Sequence, residues 1–393
     1  MTNSISPAIQ VFDSIRDIDA HLWNSLLPGH SCTFSHEFWD LVEQSGLNDF
    51  RYRHVLFRDA AGRPAALATF YSITTDIAIF APAGLRRVLG AIRRIFPRFL
   101  MLGMLECGTP IILNSPAIVT RPDIDPADVL PELHQLLLRT ARQEGQMLIV
   151  VRDFEPNAGA LEPVMKDMGY CVVPSLPNNY LEIAWSSIDD YRASMKSYYR
   201  SKLVKHLKRN QAMQVRHELV TDFHDMADLL CQQWLIVHQQ ADEFQREILT
   251  PEFYRRLSLQ MGERSKVILF YRDQELVGHA LLLMDGDMLR WLYFGRREAV
   301  NDSLYIYVGY SVIETAIRLG AKRLEMGLTT YPIKQDLGAQ VTPINLALRA
   351  ASNLINPLVG IFYPLLNSVP DIHNRNIFKQ ESGKPDHRPS KRS

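Results

Sequence analysis

The sequence predicts an α/β protein of two tandem domains, each a mixed, mostly antiparallel sheet flanked by helices. Three observations lead there. The chain has 393 residues, too many for one average domain, and 47% of them are hydrophobic, enough to bury two cores. Short apolar runs of strand character alternate with stretches of helical periodicity. The same order of elements occurs twice.

In the first round a helix at 36–45 leads to an apolar strand at 54–57, a turn at 59–63 and a strand at 65–72. A strand at 103–113, a helix at 127–144 and a strand at 147–151 complete it. The second round gives strands at 267–271, 276–284 and 289–294 joined by tight polar turns, then a helix and a final strand. The boundary is expected near 185–188, dividing the chain into 1–185 and 186–378, with the extended piece 179–183 crossing between the halves. The tail 379–393 is polar, basic and proline-containing, which predicts disorder.

Lys plus Arg and Asp plus Glu are equal at 43 each, so no global field draws the protein to DNA or to an anionic surface. Charge matters here by position. Cys32, Cys107, Cys171 and Cys231 are widely spaced, which argues against a zinc site and against a disulfide framework. No metal is expected. The first residues lack a basic segment followed by an apolar core, and no segment offers eighteen uninterrupted apolar residues. A reduced, cytoplasmic protein is therefore expected. There is no G-x-S-x-G elbow or G-x-x-x-x-G-K-[ST] loop, and His36–Glu37 lacks the second histidine of a zinc protease helix.

The stretch 302–349 is the most informative. Tyr305, Val308, Val312, Ala316 and Leu319 recur at helical spacing, Asp302 or Ser303 can cap the first turn, and Gly320 can end the helix. A short strand at 322–326 carries Glu325, and the following turn carries Tyr331 and Lys334. This succession, with D-S-L-Y before the helix and L-E-M-G and Y-P-I-K after it, resembles the second half of a GNAT-type acyltransferase domain. The nearest subgroup is the FemAB, CelD and peptidoglycan-biosynthesis-like set of tandem GNAT proteins. The resemblance implies two GNAT-like domains and transfer of an acyl group from an acyl thioester, acyl-CoA or acyl carrier protein, to an amine. Where ordinary GNAT enzymes hold the pyrophosphate with an Arg/Gln-x-x-Gly-x-Gly/Ala loop, this chain has Gly295, Arg296, Arg297, Glu298, Ala299, Val300 and Asn301. Donor contacts are then expected from Arg296, Arg297, Asn301, Asp302 and Ser303.

Acyl transfer needs a base for the ammonium, a holder for the carbonyl oxygen and an acid for the leaving group. Glu325 is expected as base, Tyr331 as acid and Lys334 as a clamp for negative charge. His279, in an apolar strand beside Gly278, is a second candidate base, although a lone histidine there is commonly a satisfied core residue. Glu106, an acid in an apolar strand of the first half, and Tyr305 are candidate substrate contacts.

Two basic segments remain. Residues 192–209 carry Arg192, Lys196, Arg200, Lys202, Lys205, Lys208 and Arg209 and no acid, either a solvated face or a contact for CoA phosphates, tRNA or lipid headgroups. Residues 85–99 show an apolar helical stripe among Arg86, Arg87, Arg93, Arg94 and Arg98, the pattern of an interfacial helix or of a packed surface helix. With the apolar, proline-interrupted stretch 354–369, it suggests a lipidic acceptor, such as a sphingoid-type long-chain base, or peripheral contact on the inner face of the membrane. Two alternatives stay open: aminoacyl transfer from tRNA to a cell-wall precursor, which would suit a larger and more basic chain, and a noncatalytic GNAT-derived scaffold.

Overall fold

The computed structural model of the chain describes residues 8–27, 29, 31–81, 83–112, 115–154, 161–240, 247–298, 303–366 and 372–379. The first half runs β1 (Ala8–Phe12), α1 (Ala20–Asn24), α2 (His36–Gln44), β2 (Arg51–Arg58), β3 (Pro64–Asp76), α3 (Ala83–Arg93), β4 (Met101–Cys107), β5 (Ile118–Thr120), α4 (Pro126–Glu144), β6 (Leu148–Phe154), α5 (Leu161–Asp167) and β7 (Cys171–Pro174). The second continues with β8 (Asn178–Glu182), α6 (Ile188–Ser194), α7 (Ser197–Ala212), β9 (Arg216–Val220), α8 (Ala227–Gln240), α9 (Pro251–Met261), β10 (Ser265–Arg272), β11 (Glu275–Asp285), β12 (Met288–Arg296), α10 (Leu304–Arg318), β13 (Arg323–Gly327), α11 (Tyr331–Asp336), β14 (Gln340–Thr342), β15 (Asn345–Ala350) and α12 (Asn356–Leu366).

Two mixed sheets result, ordered β1-β2-β3-β4-β6-β15-β7, with β5 on β3, and β14-β8-β13-β12-β11-β10-β9. Among the described residues each contains one parallel pair, β4 with β6 and β12 with β13, among antiparallel neighbours. Relative to the boundary expected at 185–188, strands cross both ways: β8 pairs with β13 and β14 in the second sheet, while β15 inserts between β6 and β7 in the first. One large core lies where α1 and α2 of the first half meet α8 and α9 of the second, burying Trp23, Phe34, Trp39, Phe253 and Tyr254. Polar ties cross it: the Thr250 hydroxyl donates to the Ser45 carbonyl at 2.6 Å, and the Ile248 N–H donates to Asn48 Oδ1 at 2.8 Å.

Several elements differ from expectation for local reasons. The strand expected over 103–113 ends at Cys107, because Gly108, at φ 125°, turns the chain away. The basic segment 192–209 is split into α6 and α7 at Met195, whose backbone bridges to Phe378. The helix expected over 85–99 stops at Arg93, which pairs with Asp76, so its apolar stripe does not run on as one face. Residues 356–366 do form a helix, since Pro357 stands in its first turn, where no N–H partner is needed. Of the expected tail, Lys379 is anchored through its N–H to the Ser194 carbonyl at 2.8 Å, and 380–393 lie outside the described residues.

Gly295 lets β12 pass close under α8. A Cβ there would stand 2.1 Å from the His279 ring and 2.8 Å from the Trp234 backbone nitrogen. Gly295→Ala is expected to destabilise the fold by roughly 1–3 kcal/mol through overpacking, measured as a lower midpoint in urea unfolding; an unchanged midpoint would show that this contact yields freely.

Candidate functional site

The parallel pair β12/β13 stays in register for only Met288↔Arg323, Leu289↔Leu324 and Arg290↔Glu325. Beyond Arg290 the strands part. β12 follows β11 to Arg296, whereas β13 turns to β8, where Gly327 faces Asn179 across a bulge. A wedge therefore opens between residues 291–296 and 326–327.

At its root lies a buried charge network. Arg290, 3% exposed, donates from Nε to Asp285 at 2.8 Å and from Nη1 to Glu325 Oε2 at 2.5 Å. The other Glu325 oxygen accepts from the Asn178 amide, which also donates to the Tyr180 hydroxyl at 3.0 Å. Asp285 in turn accepts from the Ser31 hydroxyl at 2.5 Å and the Cys32 N–H at 2.7 Å, tying the network to the first half. Burial works against the Arg290 charge, but Glu325 and Asp285 outweigh it and hold the guanidinium pKa above its ordinary value.

Lys334 stands on α11, 3% exposed, and donates to the carbonyls of Gly327, at 3.1 Å, and Leu328. Burial pushes its pKa down to about 7, with the Glu325 carboxylate opposing the shift. A neutral amine has two N–H groups and one lone pair, so the two carbonyls occupy both N–H groups and leave the lone pair to take a proton. Asn179, fully buried, also donates to the Gly327 carbonyl, at 2.6 Å, while its Oδ1 has no partner among the described residues. The turn between β13 and α11 holds Thr329 and Thr330 at φ 61° and 46°, a left-handed conformation that costs β-branched residues roughly 1–3 kcal/mol each. Thr330 Oγ1 lies 2.9 Å from the Tyr305 hydroxyl, and the Tyr305 ring stacks on Trp291 with centroids 5.5 Å apart, so Tyr305 spans the wedge. Burial pushes the Tyr305 phenol up to about 12.

Glu325, Lys334, Tyr331 and Tyr305 are thus gathered around the end of β13, although Tyr331 and Lys334 sit on a short helix and not in a turn. The Tyr331 hydroxyl donates to the Pro177 carbonyl at 3.0 Å. Glu325 is held between Arg290 and Asn178. His279 lies elsewhere, facing α8 and α9. Its ring nitrogens contact Gln233 Oε1 at 3.0 Å and the Tyr254 hydroxyl at 3.2 Å, and burial pushes its pKa down to about 3. That is a satisfied core histidine, and the space beside Gly278 is filled by the Gly295 carbonyl and Leu304. Glu106 belongs to the first sheet, where it accepts from the Tyr71 hydroxyl at 2.5 Å near Arg152.

Among the expected donor contacts, Arg297 is exposed and pairs with Glu275 and Glu298, Arg296 is half-buried, and Asn301 and Asp302 lie outside the described residues. Ser303 does not cap α10 with its side chain. Its hydroxyl is 2.9 Å from His206 Nδ1 and its carbonyl accepts from Asn210, both on α7. The basic helix thereby meets the N-terminus of α10, and desolvation together with Lys202, Arg209 and Lys205 lowers the His206 pKa. Sequence reasoning missed Asn178, Asn179 and Arg290; an asparagine pair in an apolar extended segment was the one available signal.

The whole arrangement has counterparts. Over 88% of this chain and 97% of the other, it superposes on the C-terminal domain of a protein named as a lysylphosphatidylglycerol synthetase from Agrobacterium fabrum, with TM-score 0.53 and 12% identity. FemX gives TM-score 0.53 at 11% identity over 86% and 96% of the two chains, and a tandem GNAT protein from the clavulanic acid biosynthesis pathway gives 0.50 at 10% over 88% and 99%. These likenesses show the tandem GNAT-like fold. A Mycobacterium tuberculosis protein that carries the name 8-amino-7-oxononanoate synthase 2 is 26% identical over 330 residues, 82% of this chain. The chain spans 42% of that relative's length. The profile of the FemAB-like family, described as peptidoglycan biosynthesis/recognition, matches residues 115–330, more than half of the sequence, and the chain therefore belongs to the FemAB-like family.

Proposed function

We propose that the protein is an N-acyltransferase that moves an acyl group from an acyl thioester, on CoA or on a carrier protein, to the amine of a small or lipidic acceptor such as a sphingoid-type long-chain base. Lys334 carries the reading: a buried amine with its pKa near 7, its lone pair unspent, stands where the parallel strands separate. The ammonium of the acceptor, held by Asn179 Oδ1, gives a proton to neutral Lys334. The free amine attacks the thioester carbonyl, the C–S bond breaks as the C–N bond forms, Lys334 returns the first proton to the leaving thiolate, and the regenerated neutral amine takes the second proton from the acylated nitrogen and passes it to solvent. Glu325 and Arg290 hold the end of β13 in place. The first turn of α10, with His206, Lys205 and Arg209 beside it, suits the phosphates of the donor, because a helix N-terminus favours anions.

The M. tuberculosis relative supports an amine acceptor, since its name denotes a product with an amino group next to a ketone on a carbon chain. Aminoacyl transfer from tRNA is the second reading, favoured by the family and by the exposed cations of α7. A noncatalytic scaffold is the third. Titration of the protein with each donor separates them. Long-chain acyl-CoA is expected to bind, and Lys205→Glu/Arg209→Glu to weaken it about tenfold or more by removing phosphate contacts. Tight, strongly salt-dependent binding of charged tRNA with no response to acyl thioesters would overturn the proposal in favour of the second reading, and silence toward both would favour the scaffold.

A further inference from the structure

Among the described residues nothing covers the outer faces of two apolar elements, and both rest on one support. α3 and α12 each pack against the 3-10 turn Ile77–Phe80, although some 270 residues separate them in sequence. α3 turns Leu89 inward with Leu85 and Ile92 beside it, leaving Val88 exposed. Just past its end, Ile95 and Phe96 stand 74% and 62% exposed. α12 turns Val359 and Tyr363 onto Val150, Val173 and Leu348 and leaves Leu358, Ile361 and Phe362 in solvent. Large apolar side chains gathered on one surface require an occupant.

Charge identifies it. Arg87, Arg94 and Arg98 are exposed among the apolar groups, and no acidic residue occurs from Ile77 to Leu105. The charges of α12 do not compensate, because residues 354–366 contain none. Arg93 pairs with Asp76 and donates to the Phe99 carbonyl at 2.9 Å, fixing the end of α3. Apolar groups that can sink below a headgroup layer, ringed by arginines that can meet phosphate, match an anionic bilayer and not a neutral protein surface. Among the described residues no helix is long and apolar enough to cross a membrane, so insertion would be shallow.

We propose that α3, the segment 94–99 and α12 form a single docking face for an anionic phospholipid surface. It goes beyond the acyl-transfer reading and does not depend on it. Co-sedimentation of the full chain with vesicles of phosphatidylglycerol and phosphatidylcholine, and with phosphatidylcholine alone, tests it. Binding is expected to the anionic vesicles only, reduced about tenfold or more by Arg94→Glu/Arg98→Glu. Leu358→Ser/Phe362→Ser, which alters no charge, is expected to weaken binding comparably while leaving the unfolding midpoint and the turnover of water-soluble substrates unchanged. Absence of binding to anionic vesicles, equal binding to phosphatidylcholine, or full retention by the α12 variant would overturn the proposal. So would a dimer in light scattering that these substitutions dissociate while vesicle binding stays nil, since the occupant would then be a second copy of the chain.

Discussion

Lys334→Met is expected to lower turnover by about 10² or more while leaving the fold intact, because it removes the group proposed to move the proton but keeps an apolar stem of similar length in a buried site. The pH dependence is the sharper readout. With a pKa of about 7, the wild-type rate should rise through neutrality as Lys334 loses its proton, and that limb should vanish in the variant. Stability follows the same group. Its folded pKa lies below the 10.5 of an ordinary lysine, so between pH 7 and 10.5 the unfolded chain binds the proton that the folded chain has released. This group therefore makes the protein more stable as pH rises through that window, and Lys334→Met should flatten the slope. A variant with unchanged rate and unchanged pH profile would remove Lys334 from the chemistry.

Arg290→Met should have the largest effect on stability. It leaves the carboxylates of Glu325 and Asp285 buried without their shared cation, and breaking a buried pair in this way costs about 3–5 kcal/mol. Glu325→Gln should be milder, about 1–3 kcal/mol, because an amide still offers an oxygen to Arg290. Since Asp285 also holds Ser31 and Cys32, the Arg290→Met damage should reach the junction of the two halves, seen as faster amide exchange at Ser31–Phe34. Unfolding midpoints within about 1 kcal/mol of wild type would mean that water reaches the network and pays for its charges.

Much of this architecture is legible from local patterns, and the reasons for the exceptions are physical. The helix 304–318, the strand of Glu325 and the tight turns of the second half follow from periodicity and from Gly, Asp and Asn at the turns. What periodicity cannot show is pairing at a distance. Asn178 reaches Glu325 across 147 positions, and β15 enters the first sheet from the far end of the chain. Arg290 reads as one more charged residue of an alternating strand; only the sheet places it between two acids. Lys334 was found through its position after a strand, yet its use as a clamp rested on an assumed positive charge. Desolvation, a property of the packed fold, brings its pKa down to about 7, and the proposed role as proton carrier draws on that shift. The Tyr331 hydroxyl is likewise placed by packing, since it donates to the carbonyl of Pro177, a residue with nothing in its sequence context to mark it.

The most direct measurement is mass spectrometry of the product formed by the purified full chain from a long-chain acyl-CoA and a long-chain amine, run beside the Lys334→Met protein. The account predicts an amide of the summed mass less the thiol, formed by the wild type and about 10²-fold or more slower by the variant. No amide from any acyl thioester, with an aminoacylated acceptor appearing instead when charged tRNA is supplied, would contradict it.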